Sequence, residues 1–164
     1  MKNRGFTLLE LIITLAVMSI LVTVGFPSFS SMLKTNAVNT ERDNLFNSLV
    51  YARTEAIKRG ETITICKSSD LIICDATTTW TKGWIIFEDS NGNGVLLNET
   101  IMRVQQTLKQ EILLSFDNGD FVTFDGLGKA SDTNGTFSFS HSSGETDYDR
   151  TITLSTTGRS RKAS

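Results

Sequence analysis

Hydrophobic positions along this chain follow two regimes, with a change of period near residue 60. From Phe6 to Phe26 the residues are almost all apolar, and Glu10 is the only charge among them. At about 1.5 Å of rise per residue, a helix over this run is long enough to cross a hydrocarbon core of roughly 30 Å. Beyond Pro27, Val38, Leu45, Leu49, Ala52 and Ala56 recur at helical steps, which places them on one face suited to packing on a sheet. Glu55 and Arg59 form a favourably oriented i,i+4 pair, and Lys58-Arg59-Gly60 supplies a basic last turn and a glycine stop. Pro27 removes one backbone bond and crowds the carbonyl of Thr23, so a kink or a melted turn is expected there.

After Gly60 the period shortens to two. Ile63/Ile65, Trp84/Ile86, Phe121/Thr123, Phe137/Phe139 and Ile152/Leu154 alternate, separated by Gly, Asn, Asp and Ser clusters. The pattern predicts an α+β fold: a long N-terminal helix packed on one or two antiparallel sheets. The stretch Asp125 to Gly135, rich in Gly, Ser and Asn, is expected to be a loose loop.

Charge orients the molecule. Lys2 and Arg4 precede the apolar run, and positive residues stay on the cytoplasmic side, so the remainder is expected to be exported. A carboxylate in such a run costs about 3 kcal/mol at the bilayer centre and less near an end, so Glu10 requires a partner. The same glutamate argues against a secretory signal peptide cut near Thr23-Val24-Gly25. The formal net charge of −2 hides an asymmetry: residues 70–149 hold 13 Asp/Glu against 4 Lys/Arg, whereas residues 150–164 carry Arg150, Arg159, Arg161 and Lys162 and no acid. In an exported domain Cys66 and Cys74 are expected to form a disulfide. A metal site has too few partners, because the single histidine, His141, is remote in sequence.

Asp89-Ser90-Asn91-Gly92-Asn93-Gly94 matches the first half of a calcium loop, yet its twelfth position is Thr100 and strands flank it. A tight β-turn is the better reading, with calcium binding as the minor alternative, and no metal or cofactor is assigned. Nucleophile elbows, phosphate loops and Cys/His pairs are absent, and Asp117, Asp120 and Asp125 read as turn formers, so no catalytic function is expected.

The string Arg4-Gly5-Phe6-Thr7-Leu8-Leu9-Glu10, continued by Leu11-Ile12-Ile13-Thr14-Leu15, resembles the class III leader and first helix of type IV pilins and pseudopilins. The resemblance implies cleavage by a prepilin peptidase between Gly5 and Phe6, N-methylation of Phe6, and an assembly role for Glu10. A charged amine 4 Å from that carboxylate is worth about 4 kcal/mol at an effective dielectric of 20, which offsets burial. The amine of an adjacent subunit and that of the same chain are both within reach of this argument.

Two internal stretches, Tyr51 to Arg59 and Gly83 to Gly94, are similar to recurring segments of the GspH/FimT group of minor pilins and pseudopilins. The tail Gly158-Arg159-Ser160-Arg161 resembles the Gly-Arg-x-Arg motif of FimT-type minor pilins, which bind DNA during natural transformation. The implied organisation is a leader at 1–5, a transmembrane and assembly helix at 6–27, an amphipathic helix at 28–60, a β-rich domain at 61–157 and a basic tail at 158–164. The chain would sit in the bacterial inner membrane and enter an extracellular pilus or periplasmic pseudopilus with other pilin subunits. On a mobile tail, Arg159, Arg161 and Lys162, assisted by Arg150, would grip phosphates of double-stranded DNA without reading sequence, and Gly158 would let the chain approach closely. The alternative is a structural subunit that primes or caps a filament, with the tail making subunit contacts.

Overall fold

The computed structural model describes residues 6–163. It divides into two units, Met1–Asn36 and Ala37–Ser164. One helix, α1 (Leu8–Arg59), supplies the described part of the first unit and the opening of the second. Its first part is apolar enough to cross a membrane. The melted turn expected at Pro27 is not present, because α1 is unbroken there. A proline forfeits one bond of a ladder whose neighbours remain.

Within the second unit Val38, Leu45, Leu49, Ala52 and Ala56 are all fully buried, which is the face expected from their spacing. The small side chains of Ala52 and Ala56 let the helix lie close on what it covers. Gly60 ends the helix at φ +70°, donating its N–H to the Ala56 carbonyl at 2.9 Å, a left-handed stop that glycine adopts without strain.

Eight strands follow among the described residues: β1 (Ile63–Lys67), β2 (Trp84–Glu88), β3 (Ile101–Gln105), β4 (Ile112–Phe116), β5 (Phe121–Phe124), β6 (Gly135–His141), β7 (Arg150–Leu154) and β8 (Ser160–Ala163). They form two antiparallel sheets, ordered β3-β2-β1-β5 and β4-β6-β7-β8. The main core joins the buried face of α1 to Ile63, Ile65, Trp84 and Ile86 of the first sheet and to Phe137, Phe139, Ile152 and Leu154 of the second. Trp80 stands edge-on to Phe137, with ring centroids 5.1 Å apart.

Period-two alternation understates β1, which is buried along its whole length. Its outward residue Cys66 and the β2 residues Ile85 and Phe87 belong to a second, smaller core closed by Leu96, Leu71, Cys74 and Phe121. Two loops roof β1 and β2 and bury both faces of these strands, so alternation is lost there.

The Asp125–Gly135 stretch is not loose. The Asp125 carboxylate accepts the N–H groups of Leu127 and Lys129, Gly128 donates to the Asp125 carbonyl at 2.7 Å, and Ala130 donates to the Thr156 carbonyl. Short polar side chains that bond the backbone two to four residues on turn a glycine-rich segment into a fixed turn. Nor is the C-terminal segment a mobile tail, since β8 pairs with β7 from Leu154↔Ser160 to Thr151↔Ala163. The sequence Ser-Arg-Lys-Ala lacks the apolar alternation that marks a strand, and the ladder is supplied by the neighbouring strand.

Candidate nucleic-acid interface

The Gly158-Arg159-Ser160-Arg161 motif begins in a turn, with Gly158 donating to the Ser155 carbonyl at 2.8 Å and Ser155 to the Arg159 carbonyl at 3.0 Å. The Arg159 N–H is in turn held by Ser155 Oγ at 3.2 Å. Gly158 has φ +73°, and a Cβ at this position would run into the Gly128 carbonyl. The glycine therefore permits close approach to the chain's own backbone. From α1, Arg53 reaches both turns, its Nε donating to the Gly128 carbonyl and its Nη2 to the Thr157 carbonyl, each at 3.0 Å. Arg53, Gly128 and Gly158 thus lock three remote segments together.

Register sets which side chains of β8 face solvent. Lys162 lies opposite Ile152, which is fully buried, and Arg161 lies opposite Thr153, which is exposed. Because residues alternate faces, Lys162 turns inward to α1 and Arg161 turns outward. The Lys162 ammonium sits 2.9 Å from Asp43 Oδ1 and 4.5 Å from the centroid of Phe46. Its hydrogen bond holds the Asp43 carboxyl below its ordinary range, against the opposing effect of burial. Lys162 is a fastener for the strand.

Arg150 also departs from expectation. Its Nη1 donates to the carbonyls of Asp147 at 3.0 Å and Asp149 at 2.7 Å. It stands at the far end of β7 from Leu154, the partner of Ser160, about 13 Å away at 3.3 Å per residue. Of the four basic residues, Arg159 and Arg161 are exposed and without an ion pair among the described residues, whereas Lys162 is paired with Asp43 and Arg150 holds two carbonyls through one nitrogen. Two guanidinium groups two residues apart, Arg159 in the turn that enters the edge strand and Arg161 on it, present donors suited to successive phosphates.

At the other end of the chain, Gly5 lies outside the described residues and Phe6 is exposed. Thr7 and Glu10 close a reciprocal cap at the start of α1. Glu10 Oε2 accepts the Thr7 N–H at 3.1 Å and its hydroxyl at 3.2 Å, while Thr7 Oγ1 accepts the Glu10 N–H at 3.3 Å. This is the Thr-x-x-Glu capping box, which satisfies helix-end donors that lipid would leave unpaired. It was legible in the string Thr7-Leu8-Leu9-Glu10, and it gives Glu10 a partner inside its own chain.

The Asp89 turn is self-contained. Its fully buried carboxylate accepts the N–H of Asn93 at 3.2 Å, the N–H of Gly94 at 2.9 Å and the Thr64 hydroxyl at 2.7 Å. Carboxylate oxygens so engaged leave little coordination for a cation, and no cluster of metal-ligating side chains occurs among the described residues. The cysteines form the Cys66–Cys74 disulfide, with Cα atoms 5.6 Å apart.

Residues 41–158 match the family described as type II transport protein GspH, which covers more than half of the chain. The chain belongs to the GspH family. Residues 1–26 match the prokaryotic N-terminal methylation motif. Among solved structures, the type IV minor pilin FimU of Pseudomonas aeruginosa is similar over 79% of this chain and 90% of its own, at 24% identity and a TM-score of 0.62. The minor pseudopilin EpsH of the Vibrio cholerae type 2 secretion system is similar over 78% of this chain and 97% of its own, at 18% identity and a TM-score of 0.56. At these identities the likeness is one of fold. No curated protein matches the sequence. The GspH family and the methylation motif together make this chain a pilin-type filament subunit, a minor pilin or a pseudopilin.

Proposed function

We propose that this GspH-family subunit is a type IV minor pilin that binds extracellular double-stranded DNA, without sequence preference, for uptake in natural transformation. The observation that carries the reading is the pair of exposed guanidinium groups, Arg159 and Arg161, without an ion pair among the described residues, on the β8 margin. Their backbone is fixed before any ligand arrives by Ser155, Gly158 and the Arg53 clamp. A preorganised pair loses less freedom on binding than the same arginines on a mobile tail. The acidic remainder of the domain repels DNA elsewhere and favours approach at this margin. Removal of residues 1–5 by a prepilin peptidase, methylation of Phe6 and membrane anchorage by 6–27 complete the proposal. In an assembled filament Glu10 serves as an assembly contact, its carboxylate pairing with an amine of a neighbouring subunit or of its own chain.

A second reading, a structural minor pilin or type II secretion pseudopilin that primes or caps a filament, is favoured by one observation. Lys162 and Arg150, half of the basic set, make internal contacts. A mobility shift of duplex DNA with residues 28–164 at low salt separates the two. A retarded complex supports DNA capture, and its absence leaves the structural role.

A further inference from the structure

The roof of the first sheet displays apolar side chains on loops that are held rigid. In the disulfide-closed loop, Leu71 adopts φ 63°, a conformation that costs a branched residue energy and persists where the surroundings enforce it. Here Ser68 Oγ accepts the Leu71 N–H at 2.9 Å and donates to the Ile73 carbonyl at 2.6 Å. Asp70 Oδ1 accepts the N–H groups of Ile72 at 2.9 Å and Ile73 at 3.1 Å. The outcome is that Leu71 packs inward on the small core, while Ile72 and Ile73 stand 65% and 51% exposed.

The adjoining loop is built the same way. Leu96 is buried in the same small core, Asn93 Oδ1 accepts the Val95 N–H at 2.8 Å, and Glu99 Oε2 accepts the Leu97 N–H at 2.6 Å. Val95 and Leu97 are left 46% and 75% exposed. The two loops meet along one cleft, lined by Cys74, Asp75 and Ala76 on one side and by Asn93, Gly94 and Val95 on the other. Val95 lines that cleft, and Ile72, Ile73 and Leu97 stand exposed on the same two pinned loops; ordered, exposed aliphatic side chains of this kind mark an interaction site.

The margin of this surface selects the partner. Asp70, Asp75 and Glu99 keep their carboxyls below the ordinary range, through backbone N–H groups at Asp70 and Glu99 and chiefly the Thr77 hydroxyl at Asp75. The nearby Lys67 is neutralised by Asp120 at 2.6 Å. A negative rim repels DNA and anionic lipid and accepts cations. We infer that the Ile72–Ile73 and Val95–Leu97 loops are a docking surface for a neighbouring filament subunit that presents an apolar centre flanked by lysine or arginine. This surface is separate from the Arg159/Arg161 margin and does not depend on DNA binding.

The test uses the full chain in filaments of its host. A benzophenone side chain is placed at Ile73 or at Leu97, with Leu127, 73% exposed on the Asp125–Gly128 turn, as the control position. Irradiation should yield subunit–subunit adducts from Ile73 and Leu97 about tenfold above Leu127, through partner peptides that carry Lys or Arg beside apolar residues. Equal yields at Leu127, no adduct at either loop, or adducts to lipid or DNA in place of a subunit would overturn the inference. The exposed pair Ile73→Ser with Leu97→Ser should keep the Cys66–Cys74 disulfide and protease resistance, yet lower incorporation into sheared filaments about tenfold. Incorporation at the wild-type level would also overturn it.

Discussion

Replacing Gly158 by alanine separates a glycine kept for the fold from one kept for a ligand. At φ +73° an alanine costs about 1–2 kcal/mol from crowding of its Cβ in the left-handed region. The same Cβ runs into the Gly128 carbonyl, so the Gly128 and Gly158 turns must part. Parting them strains the bonds from Arg53 to Gly128 and Thr157, both 3.0 Å long, and a bond to a charged donor is worth about 1.5–3 kcal/mol. The expected loss is therefore about 2.5–5 kcal/mol, the sum of the crowding cost and one such bond. For a domain of this size that lowers Tm by roughly 10 °C or more. Urea or thermal unfolding of residues 28–164, wild type against Gly158→Ala, measures it. An unchanged midpoint together with lost DNA binding would refute the structural assignment and return the glycine to the ligand.

Four further outcomes are expected. Cys66→Ser with Cys74→Ser should lower stability by roughly 2.5 kcal/mol on chain-entropy grounds, read as a shift in urea midpoint under non-reducing conditions. Glu61 has its carboxyl raised above the ordinary range, first by a hydrogen bond shared with Glu88 and then by that group's charge. A raised carboxyl stabilises the fold at low pH and loses that contribution as pH climbs through its folded value, so Glu61→Gln should raise Tm at about pH 7 and leave it unchanged at about pH 3. Mass spectrometry of protein from sheared filaments should find N-methylated Phe6 as the first residue, and Glu10→Leu should insert into the membrane yet be depleted from filaments; incorporation at the wild-type level would remove Glu10 from assembly.

The helix and its buried face were legible because a 3.6-residue period over Val38 to Ala56 has one reading. The leader was legible because Gly5, Phe6 and Glu10 form a local string. What the sequence hid was mostly remote or unpatterned. Nothing near Lys162 announces Asp43, and nothing near Arg53 announces the carbonyls of Gly128 and Thr157, since such pairs exist only once the sheets are stacked. β8 was hidden because an edge strand needs only a neighbour's backbone and carries no apolar alternation of its own. Gly158 was visible as a residue, but its positive φ and its backbone neighbour leave no trace in the string Gly-Arg-Ser-Arg.

The most direct measurement is duplex DNA affinity across a salt series, for residues 28–164 as wild type and as Arg159→Gln with Arg161→Gln. Each phosphate contact contributes about 0.9 to the slope of log K against log salt, so the double variant should bind at least about tenfold more weakly and show a slope shallower by roughly 1.8. Its unfolding midpoint should stay at the wild-type value, because neither side chain has an ion pair among the described residues. Equal affinity and equal slope for the two proteins, or no shift of DNA by the wild type at low salt, would contradict DNA capture by the β8 margin.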